Sequence, residues 1–136
     1  MNLTKEESQA LIDLAQDVRK YAYVPYSHYP VGAALRARDG RIFTGVNVEN
    51  AAFPVTNCAE RTAVFKAISE GAREFDVIAL VTDNGGSPCG ACRQVLAEFG
   101  LDIRVLIADG NGKLVKDLTV SELLPEAFTP RHLENR

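Results

Sequence analysis

The sequence predicts an α/β fold, a mixed sheet of five strands covered by helices on both faces. Three observations carry this. Segments with helical spacing of apolar residues alternate along the chain with short apolar runs, which places helices between strands. The run Val77-Ile78-Ala79-Leu80-Val81 is apolar without a break, as in a strand covered on both faces. Only about four residues, Asp109-Gly110-Asn111-Gly112, separate the last two strand segments. So short a turn permits antiparallel pairing alone, because a parallel partner needs a crossover of about a dozen residues.

The elements follow in order. Thr4-Lys5-Glu6-Glu7 fits a capping box, and Leu11, Leu14, Ala15, Val18 and Ala22 then form one apolar helix face that Pro25 ends. Val31, Ala33, Leu35 and Ala37 alternate with Gly32, Ala34, Arg36 and Arg38, the pattern of a half-buried strand. Asp39-Gly40 is a hairpin signal, and a second strand is expected over 41–48. Asn47 and Glu49, two apart, then project from the same side at its end. Good helix formers run over 58–70, with Gly71 as the C-cap. After the apolar strand, 83–88 reads as a loop, 90–99 as a helix stopped by Gly100, 103–108 as a buried strand and 113–118 as its hairpin partner. Thr119-Val120-Ser121-Glu122 offers a second capping box for a short last helix.

The 136 residues amount to one domain spanning 1–136. With 46% hydrophobic and 24% charged residues, the chain is an ordinary globular domain and not a disordered, collagen-like or coiled-coil one. A net charge of −3 and a pI near 5.4 argue against a nucleic-acid partner, which calls for a basic stripe. No apolar run approaches the ~20 residues of a membrane span. The first seven residues, Met1 to Glu7, lack the basic-then-apolar pattern of a signal peptide. A cytoplasmic location is therefore expected.

Three cysteines cannot all pair within one chain, so a disulfide framework is not expected. Cys89-Gly90-Ala91-Cys92 lies at a loop-to-helix junction, and Cys58 opens another helix. Three thiolates with one open position describe a catalytic zinc site, whereas a structural site has four protein ligands. His28 lies in an early turn with no metal-ligand spacing, and His132 lies in the C-terminal tail, so neither is a convincing fourth ligand. Helix N-termini favour thiolate over thiol. Arg61, three residues after Cys58, shares its helix face and can offset the negative charge left when three thiolates bind one Zn²⁺. Glu60 then stands beside the metal as a carboxylate able to accept a proton from an acidified water. Each feature also has an ordinary reading. A C-x-x-C pair can be a redox motif, free cysteines are common core residues, and Glu is favoured in any first helical turn.

The combination resembles a known family. Cys58-Ala59-Glu60 followed by Pro88-Cys89-Gly90-Ala91-Cys92 matches the zinc deaminase signature. The strings 57–63 (NCAERTA) and 87–94 (SPCGACRQ) look like the small homotetrameric cytidine deaminases, as do 26–34 (YSHYPVGAA), 47–51 (NVENA) and 122–125 (ELLP). The resemblance covers nearly the whole chain. It implies a three-layer α/β/α sandwich, and zinc-dependent deamination of cytidine and 2′-deoxycytidine in pyrimidine salvage. Cys58, Cys89 and Cys92 would bind zinc. Hydroxide on that zinc would attack C4 while Glu60 shuttles the proton to N3 and then to the leaving ammonia. Asn47 and Glu49 would hold the ribose, the backbone around Ala59 would read the base, and Tyr29 would pack against the pyrimidine. Phe128 would reach into a neighbouring subunit's site in a homotetramer. The family more often has Phe where this chain has Tyr29, so the added hydroxyl needs water or a polar partner. Three other functions compete: deamination of a related aminopyrimidine nucleoside such as blasticidin S; a polynucleotide-editing deaminase, which the acidic charge and the short final hairpin disfavour; and a non-catalytic zinc module, which calls for a fourth protein ligand. The partner is a free nucleoside, with no nucleic acid and no membrane.

Overall fold

The computed structural model describes residues 3–134. Met1 and Asn2, part of the stretch read for a signal peptide, and both ends of the expected 1–136 domain lie outside the described residues. Five strands, β1 (Gly32–Ala37), β2 (Ile42–Val46), β3 (Phe75–Val81), β4 (Arg104–Ala108) and β5 (Leu114–Thr119), form one sheet in the order β2-β1-β3-β4-β5. Only β3 and β4 pair in parallel. The helix α3 (Gly90–Phe99) lies between them in the chain and supplies the crossover a parallel pair needs. β4 and β5 are antiparallel, as the short turn requires.

Helix α1 (Lys5–Val18) covers one face of the sheet. Leu11, Ile12 and Ala15 pack there with Ala34, Val77, Ala79, Val81, Leu106 and Ala108. Helices α2 (Ala59–Ser69), α3 and α4 (Val120–Leu123) cover the other, where Val64, Leu96 and Leu123 meet Leu35, Ile78, Leu80 and Ile107. The result is the α/β/α sandwich. Both expected capping boxes form: Thr4 Oγ1 accepts from the Glu7 amide at 3.0 Å, and Thr119 Oγ1 from the Glu122 amide at 3.3 Å.

Four local expectations are corrected. The first helix ends at Val18 and tightens into a 3-10 turn over Arg19–Tyr21, so it does not run to Pro25. Its buried stripe is centred on Leu11, Ile12 and Ala15, and Leu14 is exposed. Strand β1 is buried on both faces, not half-buried, because α1 covers Gly32 and Ala34 while α2 packs behind Ala33 and Leu35. β2 stops at Val46, leaving Asn47 and Glu49 on either side of Val48, which makes isolated bridges to Tyr23 and Asn57.

Two glycines set the helix-to-sheet spacing. A Cβ on Gly32 would stand 1.9 Å from the Ala15 carbonyl oxygen, and one on Gly45 would stand 2.6 Å from both the Ala59 oxygen and the Ala63 nitrogen. The second contact matters for the site, since it lets the start of α2 lie directly on β2.

Candidate metal centre and active site

Two helix starts meet at one point. Cys58 is the N-cap residue of α2 and Cys89 that of α3, both with extended backbone, and neither side chain bonds its own helix amides. Cys92, in the first turn of α3, is fully buried. Cys58 Sγ lies 3.7 Å from Cys89 Sγ, and Cys89 Sγ lies 3.3 Å from Cys92 Sγ. All three sulfurs fall within 4.8 Å of one another. These separations are far beyond a disulfide bond. They approach the ~3.8 Å edge of a tetrahedron whose centre-to-sulfur distance is the ~2.3 Å of Zn–S. Among the described residues no His, Asp or Glu joins the group. The donor set therefore fits a zinc ion with three thiolates and one open position, as the sequence implied.

The electrostatics favour ionised sulfur at Cys58. Arg61 Nη2 donates to Cys58 Sγ at 3.2 Å. The Cys58 thiol is pulled down to about 5, first by the hydrogen bond from Cys92 and then by Arg61, with burial opposing both. The bond with Cys58, burial and the neighbouring Glu60 charge push Cys92 up. Of this bonded pair, Cys58 is the sulfur held ionised. Arg61 in turn is held more firmly protonated, chiefly by its bond to Cys58. Its Nε is buried without a partner among the described residues.

Glu60, on the first turn of α2, is only 5% exposed. Burial pushes its carboxyl from 4.5 up to about 7; its own backbone amide pulls it back, and the charge on Cys58 adds to the rise. A carboxyl that titrates near neutrality is suited to taking up and releasing a proton at working pH.

A cavity of about 390 Å³ opens onto this cluster, within the usual size of a small-ligand site. Tyr29, Asn47, Glu49, Cys58, Ala59, Glu60 and Cys89 all line it, so the fold brings together residues up to 60 positions apart in the chain. Asn47 and Glu49 are also structural. Asn47 Oδ1 accepts from the Val31 amide and its Nδ2 donates to the Tyr29 carbonyl, each at 2.9 Å. Glu49 accepts from the Tyr26 and Ser27 amides at 2.9 and 3.1 Å and from the Ser27 hydroxyl. Each keeps spare capacity, one Nδ2 hydrogen and further carboxylate lone pairs.

Cys92 and Arg61 stand behind the cavity wall, and Phe128 is the expected substrate-contacting residue that does not line the cavity. Its ring is exposed and stacks on His132, with centroids 5.2 Å apart, while its carbonyl accepts from Gln94 Nε2 at 2.8 Å. The Tyr29 hydroxyl does find a polar partner, Asn84 Oδ1 at 2.6 Å. Ser27, Thr56 and Thr82 also line the cavity, and no catalytic or metal-ligand motif marks them in the sequence. Thr82 had one usable signal, a hydroxyl directly after the apolar β3 run. It is buried, and its Oγ1 accepts from the Gly86 amide at 2.8 Å.

Comparison with known proteins agrees with this geometry. Residues 5–108 match the family model described as the cytidine and deoxycytidylate deaminase zinc-binding region. A cytidine deaminase of Sporosarcina psychrophila is 51% identical over 128 residues, covering 92% of this chain and 93% of that protein. The crystal structure of a cytidine deaminase from Burkholderia pseudomallei superposes with a TM-score of 0.85 at 44% identity, over 93% of this chain and all of that one. A blasticidin-S deaminase of Bacillus cereus is more distant, 35% identical over 94% of this chain and 96% of its own.

Proposed function

The chain belongs to the cytidine and deoxycytidylate deaminase family, and on that premise we propose that it hydrolyses cytidine and 2′-deoxycytidine to the corresponding uridines and ammonia. One observation supports this above the rest: a buried carboxyl that titrates near neutrality stands beside three clustered thiols in a nucleoside-sized cavity. Cys58, Cys89 and Cys92 would hold the zinc ion. When bound, that ion supplies the Lewis acidity that makes water a nucleophile near pH 7.

The remaining chemistry falls to the protein. Glu60, as carboxylate, takes a proton from the attacking water and passes it to N3 of the pyrimidine while oxygen bonds to C4. It then carries the second water proton to the exocyclic amine. The C4–N bond breaks, ammonia leaves, and C4 becomes a carbonyl. Arg61 holds Cys58 ionised. The Tyr29 ring packs on the base, the Ala59 backbone reads its edge, and Asn47 and Glu49 hold the ribose through their spare hydrogen-bonding capacity.

A purely structural zinc module calls for a fourth ligand, and no fourth His, Cys, Asp or Glu joins the three sulfurs among the described residues. The greater similarity to a cytidine deaminase than to a blasticidin-S deaminase favours cytidine.

The assembly is a homotetramer in this reading. Phe53, Phe65 and Phe128 are each more than half exposed, and the Tyr26 ring meets Phe53 edge-on, which leaves apolar surface for neighbouring copies. Phe128 crosses to an adjacent site. The location is cytoplasmic, in keeping with three free thiols. Among the described residues no helix is long and apolar enough to cross a membrane. The acidic balance suits a free nucleoside better than a strand.

The direct test is ultraviolet-monitored turnover of cytidine, deoxycytidine, cytosine and blasticidin S by zinc-loaded protein. Rapid loss of cytidine and deoxycytidine is expected. Preference for blasticidin S, or no turnover of any of the four, would overturn the assignment.

A further inference from the structure

Two segments that meet beside the cavity contribute to its walls. One is 26–31, which carries Tyr29; the other is the loop 83–88, which runs into Cys89. They are tied together twice. Arg19 bridges them from outside, its Nε donating to the Pro30 carbonyl at 3.3 Å and its Nη2 pairing with the Asp83 carboxylate. The second tie is on the cavity side, where the Tyr29 hydroxyl donates to Asn84 Oδ1 at 2.6 Å. The loop is shaped for this approach. Gly85 has a φ of +74°, and a Cβ on Gly86 would stand 2.7 Å from the Tyr29 hydroxyl.

We propose that Asn84 is a positioning residue, which acts through the Tyr29 hydroxyl to latch the 83–88 loop to the 26–31 segment and to fix the ring on which the pyrimidine packs. This rests on the reading that the base packs on Tyr29. A ring with a free edge can turn about its Cα–Cβ and Cβ–Cγ bonds. A ring whose hydroxyl is bonded has one setting, so the nucleoside does not have to order it on binding. The loop does not depend on the latch for its own shape. The Arg19–Asp83 pair, the Gly86 amide on Thr82 Oγ1 at 2.8 Å and the Gly110 amide on the Asp83 carbonyl at 3.3 Å all remain without it. Loss of the latch therefore weakens nucleoside binding and leaves the cysteine cluster intact.

The test compares zinc-loaded wild type with Tyr29→Phe, Asn84→Ala, the double variant, Asn84→Asp and Tyr29→Ala. Uridine affinity is read by calorimetry, since the product is not consumed, alongside KM and kcat for cytidine, zinc content and thermal unfolding. Tyr29→Phe and Asn84→Ala should each weaken uridine binding and raise KM about threefold to tenfold, the range of one net hydrogen bond. Their kcat and zinc content should stay near wild type. The double variant should be no worse than either single one, because both remove the same bond. Asn84→Asp keeps an acceptor and should retain wild-type affinity. Wild-type affinity in Tyr29→Phe, or additive losses in the double variant, would overturn the latch. If that happens while Tyr29→Ala binds weakly, the base contact stands and only the latch falls. If Tyr29→Ala binds normally, the base contact falls and the latch with it.

Discussion

Cys58 Sγ and Cys89 Sγ, from the N-cap residues of two different helices, stand 3.7 Å apart. The partial positive charge at the start of α2 and of α3 is thereby directed at one sulfur cluster. One zinc ion per chain is expected by elemental analysis of protein purified without chelator. Cys89→Ala removes a proposed ligand without adding a buried polar group, and should lose nearly all bound metal and all turnover. Full zinc retention by that variant would show that Cys89 is not a ligand.

Glu60→Gln replaces the buried carboxyl with an amide of similar size that cannot carry the proton. Zinc content and unfolding temperature should be kept. The kcat for cytidine should fall by at least the ~10²–10⁴-fold typical of a lost general acid–base. Turnover near the wild-type rate would take Glu60 out of the proton path.

Glu49 gives a pH dependence with a definite sign. The Ser27 hydroxyl, the largest influence, holds its carboxyl below the usual 4.5; burial comes next and opposes it, and the Tyr26 and Ser27 amides add to the lowering. A carboxyl whose folded pKa is depressed contributes stability that is fully present above its unfolded value and is lost as pH falls through the folded one. Wild type should therefore exceed Ser27→Ala in stability by a margin that is fully present well above the ordinary carboxyl value of 4.5 and narrows as pH falls below it. Denaturant unfolding across that range measures it. A margin that widens on acidification would contradict the Ser27–Glu49 bond.

Gly45→Ala tests the seating of α2 on β2. The new Cβ would stand 2.6 Å from the Ala59 carbonyl oxygen, so the helix must move. Overpacking of this kind costs about 1–3 kcal/mol. Because the displaced segment begins at Cys58 and carries Glu60, kcat should fall together with the unfolding temperature. Unchanged stability would mean that the helix adjusts freely.

For assembly, light scattering should give a mass near four chains, and Phe128→Ala should weaken nucleoside binding although Phe128 does not line the cavity of its own chain. A fully active monomer, or rapid deamination of single-stranded DNA, would contradict the proposed tetramer and its closed site.

What the sequence determined by itself is mostly local. A capping box such as Thr4 with Glu7 spans three residues, so its partners are set by helix geometry before any tertiary contact exists. The β4–β5 pairing was legible for the same reason, since a tight turn leaves one topology. The clustering of the three cysteines was legible because chemistry limits what three cysteines at two helix starts can do, and because the surrounding motifs resemble a known family.

Tertiary structure decided the rest. Apolar residues at 11, 12, 14 and 15 allow two overlapping stripes on α1, and only the sheet beneath selects Ile12 over Leu14. Alternation made β1 look half-exposed, yet small residues at Gly32 and Ala34 let α1 descend onto that face. Asn84 carried no local signal, because its partner Tyr29 lies 55 residues away. The direction of Phe128 had none either, because the exposed ring is packed by whatever lies next to it. Such contacts arise from where the folded chain brings distant backbone together, and no periodicity or spacing within a segment encodes them.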